Sequence, residues 1–170
     1  MIQEFLVYIF TVFEAIGYTL RLDPKIYATL VIHPDGEEVI LGIVFLAGMS
    51  MFLGQSVILF VNRVRRGRFV FSLLTNGFVF IFSYLIWGVA VAFLSWIMFS
   101  VTALDLIIVV ALVGLSTAPL VFGFLILMPY LGPAVGKVLS VWSMLIMTTI
   151  VEVAFDTSFV EAAVCVGLSW

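Results

Sequence analysis

Two ionisable side chains stand inside hydrophobic sequence late in the chain. Lys137 and Glu152 bracket 14 uncharged residues. A charge held within a membrane is costly, and where one occurs it marks an ion or proton path or a paired contact. These are the only candidates for that role, and both fall near the ends of the stretch they bracket. The polar residues within the apolar segments are Gln55, Asn76, Ser83, Ser116, Thr117, Thr148 and Thr149. They are expected to hydrogen-bond between helices rather than to line a route. No inverted repeat and no midplane carboxylate pair accompanies them.

Other chemistries find less material. Cys165 is the only cysteine and His33 the only histidine. One of each rules out an intrachain disulfide, a bis-histidine haem site and most transition-metal clusters within the chain. His33 stands before Pro34 in a His-Pro-Asp-Gly sequence, which reads as a turn rather than a ligand. Nucleophile-elbow, HExxH and phosphate-loop motifs are absent. Each aspartate belongs to a loop, so an aspartate-based intramembrane protease is not expected. The chain therefore reads as non-enzymatic. No cofactor is predicted, although lipid, pigment or quinone contact between spans needs no signature motif.

The solvent for such a chain is lipid. Of its 170 residues 65% are hydrophobic and only 10% charged, and the mean hydropathy is +1.34. A soluble domain carries about a quarter charged residues. A net charge of −3 without a basic field excludes nucleic acid as a partner. The first twenty residues lack a basic n-region and hold Glu4 and Glu14, so no signal peptide is expected.

These properties predict an all-α, polytopic transmembrane helical bundle. It would have four to five membrane segments, preceded by an N-terminal amphipathic helix and polar connector over residues 1–38. In residues 2–20, Gln3, Glu4, Thr11, Glu14, Tyr18 and Arg21 form one stripe at 100° per residue. Such a helix lies along the interface, or it spans with its polar stripe turned into protein; the cost of burying Glu14 favours the interface. Asp23-Pro24 starts a short helix, with Pro suited to the first helical position.

Residues 39–170 hold the spans. Val39–Val61 is the first, with 23 uncharged residues against about 30 Å of hydrocarbon. Phe69–Leu104 has no charge for 36 residues, about 54 Å if wholly helical. It divides into an approach at Phe69–Thr75, a span at Asn76–Phe99 and a bend at Ser100-Val101-Thr102. Trp87 and Trp96 read as packing or interfacial aromatics. Leu106–Leu127 is the third span, kinked at Pro119. Met128–Pro133, with Pro129 and Pro133, is a tight connection to the fourth span, Ala134–Val153. Asp156-Thr157-Ser158 offers a helix cap for Phe159–Trp170, which is either a half-span or a truncated fifth helix.

Charge orients these segments. Arg63, Arg65, Arg66 and Arg68 form a basic loop that anchors one side as cytoplasmic. Two more crossings return Lys137 to that side, so five of the seven basic residues lie inside. Small residues recur at helical spacing: Gly132, Gly136 and Ser140, Ser50 with Gly54, and Gly88 with Ala92. That interval lets helix backbones approach closely in lipid.

The segment TLRLDPKIYATLVIHPDGEEVI, ahead of an apolar span, resembles the start of bacterial members of the Ypt-interacting-protein (Yip-one) family. VGLSTAPLVFGFLILMPYLGPAVGKVLSVWSMLIM is similar to that family's Gly-Phe-Ala-x-Ala-Pro segment, its proline–glycine connection and its tryptophan-bearing fourth helix. AFDTSFVEAAVCVGLSW is similar to its terminal element. The resemblance, over residues 17–170, implies a multispanning helical protein with five membrane segments, whose eukaryotic members associate with Rab-type GTPases and with one another. The Asp-Leu-Tyr-Gly-Pro motif and long N-terminal arm of those members are missing, which argues against a Rab-type partner. The expectation is a membrane scaffold or accessory subunit. Its partners would be membrane lipids and other integral membrane proteins, or further copies of itself. The alternative is a small-solute or ion transporter or channel using the kinked third span with Glu152 and Lys137.

Overall fold

A computed structural model of the chain describes residues 2–23, 25, 27, 36–61, 66–99, 112–128 and 130–170. All regular elements among them are helical, and no strand occurs. Three helices are long and apolar enough to cross a membrane: Gly36–Leu53, Phe78–Phe99 and Gly132–Phe155. The chain is thus a helical membrane protein by length and composition.

Helix α1 (Ile2–Leu20) shows three faces. Val12, Ala15, Ile16 and Thr19 are buried. The polar stripe of Thr11, Glu14 and Tyr18 is exposed, and so is a second apolar strip of Leu6, Phe10 and Phe13. The polar stripe therefore does not turn into protein. It faces away from the other described elements. The Tyr8 hydroxyl donates to the Glu38 carbonyl over 2.8 Å, and a Cβ added at Gly42 would meet that same phenol. Beyond α1, Leu22 takes a left-handed φ of 58°. The Asp23 carboxylate accepts from the Lys25 N–H at 3.0 Å, a capping bond that starts the next helical turn. Tyr27 in that turn is buried. Its hydroxyl has no hydrogen-bond partner, and burial, with the Asp23 charge second, pushes its pKa up.

Helix α2 (Gly36–Val61) opens with Glu37 and Glu38 in its first turn, where carboxylates complement the helix dipole. Val39, Ile40, Ile43, Ala47 and Ser50 make its buried seam. Helix α3 (Arg66–Phe99) is continuous for 34 residues, about 51 Å. The expected separate approach at Phe69–Thr75 does not form. No proline interrupts it, and lone glycines cost a helix only about 1 kcal/mol each. The expected bend at Ser100–Thr102, and His33, Pro24, Arg63, Arg65 and Pro129, lie outside the described residues.

The third predicted span is where sequence and structure differ most. Residues 106–111 lie outside the described residues, and the rest is not a kinked α-helix. Leu115–Leu127 is a 3₁₀ helix of 13 residues with Pro119 inside it. Such helices seldom exceed three or four residues. Local chemistry supports this one. Pro119 has no N–H to give an α-helical bond. Just before it, Val113 and Gly114 carbonyls accept the backbone N–H groups of Ser116 and Thr117, each at 3.1 Å. The same two carbonyls accept the hydroxyls of those residues at 2.7 and 2.6 Å. The i→i+3 pattern is thus doubled at its first turn. Further on, the Phe124 N–H donates to the Ser50 hydroxyl of α2 at 2.9 Å.

After Met128 the chain turns sharply. Tyr130 is fully exposed with a left-handed φ of 65°. Helix α4 (Gly132–Phe155) begins there, two residues earlier than the predicted Ala134, with Pro133 in its first turn. It ends at Asp156, whose left-handed backbone (φ 48°, ψ 44°) lets its N–H reach the Glu152 carbonyl. Ser158 then caps α5 (Phe159–Ser169) in a capping box with Glu161.

The 3₁₀ segment packs against α2 and α4 and touches α1, while α5 packs on α4 and α3. One continuous core joins Val12 and Ile16 of α1, Ile43 of α2, Val91 of α3, Leu115 and Ala118, Ile146 and Ile150 of α4, and Val166 of α5.

Candidate binding groove

Helix α5 packs against both α3 and α4, and the wedge among the three is an open groove of about 370 Å³. Its lining includes Ser83, Tyr84 and Trp87 of α3, Ser140 of α4, and Ser169 and Trp170. Trp87 lies three and four positions after Tyr84 and Ser83, so each of those two neighbours it on the surface of α3.

Aromatic rings form one wall. Trp87 stands edge-on to Tyr84 at 5.9 Å between centroids and edge-on to Trp170 at 4.8 Å. Phe80 extends the row, 5.0 Å from Tyr84. Edge-to-face contacts of this kind fix ring planes. The Trp87 indole N–H donates to the Ser169 hydroxyl at 3.2 Å, and that hydroxyl donates to the Val166 carbonyl at 2.7 Å. Ser169 is therefore fully engaged. Ser95 and Cys165 make the next contact along the α3–α5 seam, 3.5 Å apart.

Hydroxyls form the rest. Ser83 and Ser140 make no hydrogen bond among the described residues. Ser143, one turn from Ser140 and fully buried, has an Oγ without a hydrogen-bond partner. The Tyr84 phenol lies within interaction reach of it. No charged side chain lines the groove.

The predicted site residues are distributed as follows. A Cβ on Gly132 would collide with the Ile126 carbonyl, and Gly136 lies against the Ile126 side chain, so both face the 3₁₀ segment. Gly88 lies against Val113, where an added Cβ would be 3.2 Å away, and Ala92 is buried on the same side of α3. Ser50 is buried against the 3₁₀ segment through its bond to Phe124. Ser140, expected in the Gly132–Gly136 seam, instead lines the groove. Gly54 belongs to α2, and Arg66 begins α3 with Arg68 exposed beside it. Lys137 is exposed and Glu152 half-buried. Fifteen positions of α4 separate them, about 22 Å, and neither lines the groove.

The polar residues behave differently from expectation. Ser116, Thr117, Thr148 and Thr149 do not bridge helices. Each bonds a carbonyl three or four residues back in its own chain. A short hydroxyl beside its own carbonyl needs no partner helix. Interhelical bonds among the described residues come instead from Tyr8, Ser50, Ser95 with Cys165, Trp87 with Ser169, and the Trp142 indole N–H, which donates to the Leu20 carbonyl at 3.2 Å. The side chains of Gln55 and Asn76 lie outside the described residues. Sequence reasoning read Trp87 as a packing or interfacial aromatic and gave Trp170 no role of its own. The Ser83–Trp87 interval of four, repeated as Ser140–Ser143 at three, was the available signal.

No family model matches the chain, and no curated protein and no solved structure is similar to it.

Proposed function

We propose that the protein is a non-enzymatic membrane scaffold or accessory subunit that works by associating with other membrane helices. The observation that carries this reading is the one-sided packing of α3. Trp87, Gly88, Val91, Ala92 and Ser95 are its buried seam, whereas Phe78, Phe82, Ile86, Val89, Phe93 and Ile97 are exposed. A span held by a single seam leaves most of its circumference for lipid or a neighbouring helix. The resemblance to the Yip-one family, whose eukaryotic members associate with one another, supports the same reading.

The topology we infer has four crossings. A 3₁₀ helix rises about 2.0 Å per residue, so 13 residues reach about 26 Å rather than about 20 Å as an α-helix. Nearly the whole hydrocarbon thickness of about 30 Å is then covered by Leu115–Leu127. With α2, α3 and α4 as the other three crossings, the Arg63–Arg68 loop and Lys137 share one face. Their positive charge makes that face cytoplasmic. Helix α5 enters from the opposite face, and the exposed polar stripe of α1 lies at the interface.

The test is photocrosslinking in native membranes from positions 82 and 93 on the exposed face of α3, with positions 91 and 92 as buried controls. Adducts to one integral membrane protein, or to a second copy of this chain, support the reading. Lipid adducts alone, together with a monomer after mild extraction, would overturn it.

A further inference from the structure

The groove among α3, α4 and α5 carries an inference beyond helix association. Several hydroxyls elsewhere among the described residues are satisfied locally, although those of Tyr27 and Thr157 are also buried without a partner. Thr11, Thr19, Thr148 and Thr149 each bond the carbonyl four residues back, at 2.7 to 3.1 Å. Ser83, Ser140 and Ser143 have the same carbonyls available and do not use them. Ser143 is fully buried with an orphaned Oγ, which is unfavourable in any apolar medium and is seldom left so without a cause. Ser83 and Ser140 line the groove with Tyr84, and Ser143, which does not line it, interacts with the Tyr84 phenol.

Their depth matters. Trp87 lies 12 residues from the Phe99 end of α3 and Ser140 eight residues from the Gly132 end of α4, about 18 and 12 Å from those helix ends. At that depth bulk water does not reach to satisfy them. A membrane-dissolved ligand does.

The lining limits its chemistry. With no charged side chain present, a phosphate or ammonium head would be desolvated without compensation. Free serine hydroxyls suit carbonyl acceptors. The electron-rich rings of Tyr84, Trp87 and Trp170 suit a flat, electron-poor ring against them. The volume of about 370 Å³ is at the small end of small-molecule sites, which run from about 300 to 1,000 Å³. We propose that this groove binds the uncharged head of a membrane quinone, its two carbonyl oxygens accepting from the serine hydroxyls and its ring packed against Trp87 and Trp170. The proposal stands apart from the scaffold reading, and either can fail alone.

The test uses the full chain in phosphatidylcholine nanodiscs, titrated with a decyl-tailed benzoquinone while tryptophan fluorescence is followed. Two of the four tryptophans, Trp87 and Trp170, line the groove. Saturable quenching is expected on top of the linear background of quencher dissolved in lipid. Each serine hydrogen bond contributes about fivefold in affinity. Ser83→Ala with Ser140→Ala should therefore weaken the saturable phase on the order of 20-fold, with helicity unchanged. Trp87→Phe, which keeps a ring in place, should cut its amplitude to what Trp170 reports, while Trp96 and Trp142 report the background. Purely linear quenching, equal in parent and variants, overturns the proposal. Displacement of the quinone by an equal concentration of diacylglycerol also overturns it, because the groove would then be reading ester carbonyls and not a ring.

Discussion

The 3₁₀ segment and helix α3 are both apolar throughout and meet opposite surroundings. Leu112 to Leu120 is buried at every position, while α3 exposes most of its side chains from Phe78 to Met98. Hydrophobicity does not separate them, because lipid is as apolar as any protein core. Size does. The buried run LVGLSTAPL carries Gly114, Ser116, Thr117, Ala118 and Pro119. Such residues let neighbouring backbones come close, and dispersion grows with close approach. Helix α3 carries Phe78, Phe80, Phe82, Phe93, Trp96 and Phe99, whose bulk holds neighbours off and is as well solvated by acyl chains as by protein. In lipid the small residues pack inward and the large ones face out.

Gly132 breaks or sustains that comparison with the largest effect. A Cβ there collides with the backbone carbonyl of Ile126, which has no rotamer by which to yield. Gly132→Ala is expected to destabilise by about 3 kcal/mol, at the upper end of overpacking. The exposed Phe82→Ala, which removes far more atoms, should change stability by less than about 0.5 kcal/mol. Reversible unfolding in mixed detergent and dodecyl sulfate micelles measures both. Equal losses would mean that α3 is packed against something other than lipid.

Ser50 sharpens the same contrast. Its hydroxyl accepts from the Phe124 N–H across the α2 interface, supplementing a 3₁₀ ladder whose own hydrogen-bond geometry is poor. Ser50→Ala should cost about 1 to 2 kcal/mol in the same assay. Ser83→Ala, exposed on α3 and without a hydrogen bond among the described residues, should cost less than half as much. A Ser50 variant as stable as the parent would show that the 3₁₀ form holds without α2.

Much of this was legible from residue types, and the remainder was not, for physical reasons. Length and apolarity marked three spans, and small residues at intervals of four pointed at Gly132 and Gly88, both of which lie against neighbouring elements. The 3₁₀ form was not legible. Pro119 announces a disturbed helix, but kink and 3₁₀ differ only in which carbonyl each N–H finds, and that depends on α2. The serine groove was hidden for a similar reason. Ser83 and Ser140 lie 57 positions apart in sequence, and their proximity is made by α5, whose role no spacing within either helix encodes.

The corner between α4 and α5 tests a region where neither packing nor lipid decides, only local bonding. Asp156 holds a left-handed conformation at φ 48°, which costs an L-residue about 1 to 2 kcal/mol and glycine almost nothing. Asp156→Gly should therefore stabilise by about 0.5 kcal/mol after glycine's entropy in the unfolded chain is deducted. A loss instead would assign the Asp156 carboxylate a contact of its own.

Two residues on, the Ser158 backbone N–H and hydroxyl both donate to the Glu161 carboxylate, at 3.1 and 2.8 Å. These bonds, the hydroxyl's first, hold the Glu161 pKa below the usual carboxylate value. A depressed folded-state pKa means that the charged form supports the cap. That support is fully present above the unfolded value of about 4.3 and fades as pH falls through the lower folded value. Ser158→Ala removes both hydroxyl bonds and should cost about 1 kcal/mol near neutral pH. Amide hydrogen exchange in the first turn of α5, followed from pH 6 downward, should quicken relative to intrinsic rates in the parent and change little in Glu161→Gln. Exchange in α4 and the 3₁₀ segment should not respond. If it does, the acid-sensitive group lies in the core and the cap is not the titrating element.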